Sequence, residues 1–339
     1  MSNPVLVHVT RGGMVESRHR GVFAVLDAAG GLVAGVGDTA RPVYPRSAIK
    51  AFQALPMVEV AAERFGFTDA EIALACASHS GEPEHVRLAG GMLAKLGLSD
   101  SELECGAHWP YDAAAQRALA AAGESPGRLH NNCSGKHAGM LALALALGAE
   151  PRGYTRASHP VQRTIAAALH DLCGIDPQAQ PCGIDGCSVP TWAMPLEAWA
   201  RGFSRFVSGA GLGSQRQRAA RRIIAAVRAH PFLVAGSERF CTQLMQAVPR
   251  AFVKTGAEGV FCGAVPHAGF GIALKCDDGA GRAAEVMMAA LLAHLPVWTA
   301  DEVARLRSFA TVPLTNRAGL EVGDIRPVES AFPPVTLAA

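Results

Sequence analysis

Hydrophobic positions recur with two different periods along this chain, and the switch between them divides it. Near the N-terminus the period is short. Val5 to Val9 alternates, and Val22 to Asp27 and Leu32 to Val36 are apolar runs joined by Ala28-Ala29-Gly30-Gly31. That pattern predicts a strand followed by a β-hairpin. Arg41 to Pro45 is a proline-bearing connector. Beyond it the apolar positions fall at helical spacing. Helices are expected at Asp112 to Ala122, ending at Gly123, and at Lys136 to Leu147, Val161 to Leu172, Leu196 to Phe206 and Gln215 to Ala229. Thr68-x-x-Glu71 and Ser99-x-x-Glu102 read as capping boxes. Strand character returns at Ala251 to Thr255, Gly259 to Val265 and Phe270 to Cys276, with Gly256-Ala257-Glu258 as a turn. A last helix is expected from Ala283 to His294.

Strands at both ends thus bracket a helical middle, with no internal repeat and no low-complexity linker. The expected class is α+β: an antiparallel sheet from residues 1–45 with 250–339, beside a helical lobe at 46–249, together one continuous catalytic unit. A doubly wound parallel sheet requires an alternation of strand and helix that is missing here.

Composition narrows the function classes. The chain has 339 residues, 50% of them hydrophobic, enough for one large core or two coupled lobes. A net charge of +2 without a basic tail argues against nucleic acid. Met1 to Thr10 lacks a charged segment followed by a long apolar one, so no signal peptide is expected. The longest apolar run, Leu141 to Leu147, is too short to span a bilayer. Nine scattered cysteines then suggest a reducing cytoplasm, with thiols as core residues or metal ligands.

Four stretches carry candidate chemistry. Ser47 and Lys50 in Arg46-Ser47-Ala48-Ile49-Lys50 lie three apart, on the first turn of an expected helix. The positive end of a helix favours a deprotonated serine and a neutral lysine, a nucleophile made without histidine. A capping serine with a solvated lysine has the same spacing and is common. Ala77-Ser78-His79-Ser80-Gly81-Glu82 reads as a loop between helices that presents Ser78, or as an ordinary turn in which Ser80 caps the helix from Pro83. His130-Asn131-Asn132-Cys133-Ser134-Gly135-Lys136-His137 concentrates amide, thiol and amine groups before an apolar helix. Backbone N–H groups there suit a carboxylate, and an elaborate helix cap is the plainer alternative. No glycine stands four or five residues upstream of Gly135, which excludes a P-loop.

Cys182-Gly183-Ile184-Asp185-Gly186-Cys187 contains a turn signal and two thiols. A structural zinc ribbon needs paired short cysteine spacings that the chain lacks, so buried thiols are the default there. Cys187 and Cys133 nevertheless remain candidates for one site in space. Lys254-Thr255-Gly256 places a lysine on a hairpin edge, suited to a proton relay or a carboxylate clamp. Gly209-Ala210-Gly211-Leu212-Gly213 is no dinucleotide loop, because no strand precedes it. His79 and His85 are six apart, a spacing that gives no reason to infer a metal site.

Taken together, these motifs carry two resemblances. Ser-x-x-Lys, a middle serine loop and Lys-Thr-Gly occur in the order found in serine β-lactamases and penicillin-binding proteins, although Ser78-His79-Ser80 departs from the usual Ser-x-Asn. More closely, and over nearly the whole chain, the sequence resembles the asparaginase II family, the class 3 L-asparaginases. The likeness rests on Pro45 to Lys50, Ala77 to Glu82, Asn131 to His137, Gly183 to Cys187 and Lys254 to Gly259. It implies a serine β-lactamase-like fold and hydrolysis of L-asparagine to L-aspartate and ammonia. It also implies catalytic pairs Ser47–Lys50 and Ser78–Lys254, and zinc (Zn2+) on Cys133, Lys136 and Cys187 in a homodimer. Arg46, Asn131, His137 and Asp185 fall in matching motifs as substrate-pocket candidates. The competing readings are a β-lactamase-like or peptidase enzyme, and a non-catalytic module that binds zinc or an amino acid.

Overall fold

The structure is a computed structural model that describes residues 2–335. Met1 and residues 336–339, the outer ends of the two expected sheet segments, lie outside the described residues. The chain divides into two compact units, one of residues 1–48, 194–210 and 244–339, the other of 49–193 and 211–243.

The first unit is built on an antiparallel sheet of eight strands: β1 (Val5–Arg11), β2 (Met14–Leu26), β3 (Leu32–Val36), β4 (Phe252–Thr255), β5 (Val260–Val265), β6 (Phe270–Cys276), β7 (Val312–Thr315) and β8 (Glu321–Pro327). Their order is β7-β8-β1-β2-β6-β5-β4, with β3 also paired to β2. Both ends of the chain therefore meet in one sheet, as in Val7 opposite Pro327 and Leu274 opposite Phe23. The expected hairpins are present. β2, however, runs through Met14–Arg20, whose alternating polar residues leave one face exposed and gave no apolar run to read.

Strand alternation gives the sheet two faces. A Cβ on Gly271 would stand 2.0 Å from the Ala200 carbonyl and 2.1 Å from the Ser204 nitrogen, so the helix Leu196–Ser208 lies directly on β6. Trp199, Phe203 and Phe206 of that helix are buried, and the Ser204 hydroxyl donates to Asp27 O at 2.6 Å. The helix Gly281–His294 covers the other face, with Met287 against Gly21. Leu196–Ser208 falls within the stretch expected to form the helical lobe, yet it belongs to the sheet unit, because its apolar stripe matches the sheet.

The second unit is helical. Lys50–Val60, Asp69–Ala75, Pro83–Lys95, Ser134–Ala146, Pro160–Cys173 and Ser214–Ala229 pack on one another. Ser134–Ala146 is its centre: every residue from Ser134 to Ala144 is buried, as an apolar helix with no polar stripe demands. Thr68 and Glu71 form the expected capping box, with Thr68 N–H donating to the carboxylate at 2.7 Å. Ser99 and Glu102 form the other, which caps a single 3-10 turn. A short hairpin, Cys182–Ile184 with Pro190–Trp192, carries Cys187 in its turn. No helix of the described residues is long and apolar enough to cross a membrane.

Candidate active site

The expected site residues fall in both units. Arg46, Ser47 and Lys254 belong to the sheet unit, and Lys50, Ser78, Asn131, Cys133, Lys136, His137, Asp185 and Cys187 to the helical unit.

In the helical unit the structure joins Lys50, Cys133, Lys136 and Cys187 in one buried run. Lys50 begins its helix at 1% exposure. Its amine donates to Ala77 O at 2.5 Å and to Cys133 Sγ at 3.0 Å. Lys136, also buried, donates to Cys187 Sγ at 2.9 Å. The two thiols shift each other's acidity in opposite directions. The Cys133 contact, aided by the Lys136 and Lys50 charges and opposed by burial, lowers Cys187 to about 5. The Cys187 contact together with burial pushes Cys133 up to about 12. Burial works against the charge on Lys136, but the neighbouring Cys187 and Cys133 outweigh it and raise its pKa. Charge-assisted bonds of this kind are each worth roughly 1.5–3 kcal/mol. Two sulfurs and an amine under one cover are a soft donor set that suits a zinc ion.

Local sequence explains the positions. Cys133 is the N-cap of Ser134–Ala146, so Lys136 follows it within the first turn. Asn131 sets the cap: its Oδ1 accepts Cys133 N–H at 2.8 Å, and its amide donates to Cys105 O and Gly106 O. Both ends of Asn131 are thus engaged by backbone. Cys187 is presented by the Asp185-Gly186 turn, in which Asp185 N–H donates to Val189 O at 2.8 Å and Gly186 N–H to Asp185 Oδ1 at 2.8 Å. Ser78 is buried, and its N–H donates to Val234 O at 2.9 Å. The following residues lock that loop, with His79 Nε2 bonded to Ser134 Oγ at 2.9 Å and Ser80 Oγ donating to Ala235 O. His79 and His85 do meet, stacked at 4.8 Å, because one lies in the loop and the other on the helix after it.

His137 is held through Tyr154. The Tyr154 hydroxyl accepts Glu104 N–H at 2.9 Å and lies 2.6 Å from His137 Nδ1. Burial first, then the Lys136 charge, lowers His137 to about 3, so the ring is neutral. Its buried Nε2 has no hydrogen-bond partner among the described residues. Tyr154 and Glu104 were invisible as site residues: neither lies in a motif, and only tertiary contact brings them to His137.

In the sheet unit, Ser47 lies in a one-turn 3-10 element, Arg46–Ile49, and the α-helix begins only at Lys50. Pro45 O takes Ala48 N–H at 3.1 Å and tightens that turn. Arg46 has φ +51°, a conformation that a non-glycine residue holds only when its surroundings impose it. Its side chain lines a cavity of about 230 Å³ with Tyr44, Glu258, Lys275 and Asp277. Lys254 is buried on β4 opposite Cys262, and its amine donates to Thr255 O at 2.9 Å. A Cβ on Gly256 would lie 2.9 Å from Pro45 O and 3.2 Å from Ala48 N. The end of the Lys254 strand thus rests on the turn that holds Ser47, and glycine is what permits the approach.

A comparison with curated proteins gives no match. Among solved structures, a β-lactamase from Mycobacterium bovis aligns at 16% identity and a TM-score of 0.38, over 86% of this chain and 95% of that one. A provisional β-lactamase from Bacteroides dorei aligns at 12% identity and a TM-score of 0.33, over 80% of this chain and 84% of that one. The sequence profile of the L-asparaginase II family matches residues 7–327, a span that holds every motif described above. The chain belongs to the L-asparaginase II family.

Proposed function

We propose that the chain is an L-asparaginase that hydrolyses L-asparagine to L-aspartate and ammonia through an acyl-enzyme on serine. Family membership supports an asparaginase-type amidohydrolase. The observation that carries the reading is the buried run Lys50–Cys133–Cys187–Lys136, which unites residues from three separate motifs of the family.

In this reading Ser47 Oγ attacks the side-chain carbonyl carbon and Lys50 takes the hydroxyl proton. The C–N bond of the tetrahedral intermediate breaks, and the proton held by Lys50 passes through Ser78 and Lys254 to the departing ammonia, which leaves Lys50 neutral. A β-aspartyl ester remains on Ser47. Water adds to it, Lys50 again accepting the proton, and aspartate leaves with the serine restored. Arg46, Asp185 and the unpartnered Nε2 of His137 are the groups assigned to hold the substrate. Asn131 acts one step back, by fixing Cys133.

Cys133, Lys136 and Cys187 would hold a zinc ion, whose positive charge would orient the substrate and shape the pocket. Lys136 and Cys133 would each give up a proton on binding. The proposed setting is a homodimer in the cytoplasm.

The test is ammonia release by the purified protein from L-asparagine and L-glutamine, beside turnover of a chromogenic β-lactam. Release from L-asparagine with an inert β-lactam is expected. β-Lactam turnover without ammonia would transfer the chain to the competing enzyme class, and silence on all three would favour a binding module.

A further inference from the structure

The sheet unit holds a second group of metal-ligating side chains. In the antiparallel register of β2 and β6, Cys276 stands opposite Gly21. The ladder continues past the strand end, with Asp277 N–H donating to Arg20 O at 2.9 Å. Asp278 therefore falls opposite His19. Side chains two apart on a strand share a face, so His19, Cys276 and Asp278 converge on one face of the sheet. Arg20 and Lys275, the adjacent cations, fall on the other face. The ligand atoms of the three lie within 4.8 Å of one another. His19 Nδ1 is 2.6 Å from Asp278 Oδ2, and Cys276 Sγ is 3.0 Å from Asp278 Oδ1.

We propose that His19, Cys276 and Asp278 form a binding site for a divalent transition-metal ion of the zinc class. An imidazole, a thiolate and a carboxylate carry two negative charges in total and match the ligand preferences of zinc. Ligands at ~2.0–2.3 Å around a tetrahedral ion stand about 3.3–3.8 Å apart. The Asp278 carboxylate must therefore withdraw by roughly 1 Å from His19 and Cys276. It has room to do so, since its side chain is half exposed while that of His19 is 7% exposed. The exposed side also gives the ion a path and a water ligand. The Ala280 N–H, which donates to Asp278 Oδ1 at 3.0 Å, orients the carboxylate from behind. Burial and the Asp278 contact keep the thiol protonated without metal, so the ion displaces that proton to solvent. The site shares no residue with Cys133, Lys136 and Cys187, and it stands whether or not those bind zinc.

The experiment is equilibrium dialysis of the full-length protein against Zn2+ and, separately, Co2+, followed by elemental analysis. His19→Ala and Asp278→Asn are each expected to hold one equivalent fewer than wild type. With Co2+, Cys276→Ser should lose part of the thiolate-to-cobalt absorption, and that part should persist in Cys133→Ser/Cys187→Ser. Loss in Cys187→Ser alone, with all three sheet variants at the wild-type stoichiometry, would overturn the proposal and leave the three side chains as a hydrogen-bonded clamp. Asp278→Asn alters a half-exposed group, so its circular dichroism should match wild type, and its result decides the matter if His19→Ala does not fold.

Discussion

At the scale of single residues, the candidate site is a set of buried polar groups held by named partners. The Tyr154 hydroxyl accepts Glu104 N–H and lies 2.6 Å from His137 Nδ1. Tyr154→Phe should leave the Glu104 N–H without its acceptor and cost about 1–3 kcal/mol in chemical denaturation. An unchanged denaturation midpoint would show that the Glu104 N–H does not depend on that acceptor. Cys133 and Cys187 shift each other in opposite directions, Cys187 down and Cys133 up. One zinc per chain is expected at this pair with Lys136, and Cys187→Ser should release it on dialysis. Full retention in that variant, judged against the independent His19 site, would remove Cys187 from the ligand set. Little of this was legible beforehand. Lys50 and Cys133 are 83 residues apart and Lys136 and Cys187 are 51 apart, beyond what motif spacing conveys. The residue types showed that chemistry was present; the family resemblance, not periodicity, grouped Cys133, Lys136 and Cys187, and nothing in the sequence joined Lys50 to Cys133.

At the scale of elements, the central helix Ser134–Ala146 depends on Gly135. In an open helix, alanine is better than glycine by about 1 kcal/mol. Here a Cβ would stand 2.5 Å from both the Leu74 carbonyl and Leu74 Cγ of the helix Asp69–Ala75. Steric cost should win, so Gly135→Ala is expected to lose at least ~1–3 kcal/mol and to misplace Cys133 and Lys136. A stabilised variant in thermal melts would show that the two helices separate freely. A second element was missed in the sequence although its signal was there. Thr299-x-x-Glu302 is a capping box, and it starts the helix Ala300–Ala310. Glu302 also receives Arg250 through two bonds of 2.8 and 2.7 Å. The Arg250 bonds, against slight burial and with help from Thr299, lower its carboxyl to about 2. That is below the ~4.3 of an unfolded chain, so the stabilisation is present above ~4.3 and lost as pH falls through about 2. The melting temperature of Glu302→Gln should therefore lie below wild type at neutral pH, and the gap should narrow between about pH 4.5 and 2. A gap independent of pH would assign the loss to something other than charge.

At the scale of the whole molecule, the chain folds much as its two periodicities suggest, a sheet from both ends and a helical middle. Long amphipathic or capped segments were legible because their patterns are local. β7 and β8 were not: Pro313 interrupts one and polar residues fill the other; β8 gains its place by pairing with β1 some three hundred residues earlier, and β7 by pairing with β8. Ser47 illustrates the same limit, since an apolar run with helical spacing did not reveal that the chain first makes a 3-10 turn. That turn carries the central claim of the account, an amidohydrolase whose acyl group sits on Ser47. The most direct test is the rate of ammonia release from L-asparagine by wild type and Ser47→Ala, with matching circular dichroism. The account predicts a loss on the order of 10⁴-fold or more, as for removal of a covalent nucleophile. Near-normal release by a folded Ser47→Ala would contradict it and place the nucleophile elsewhere.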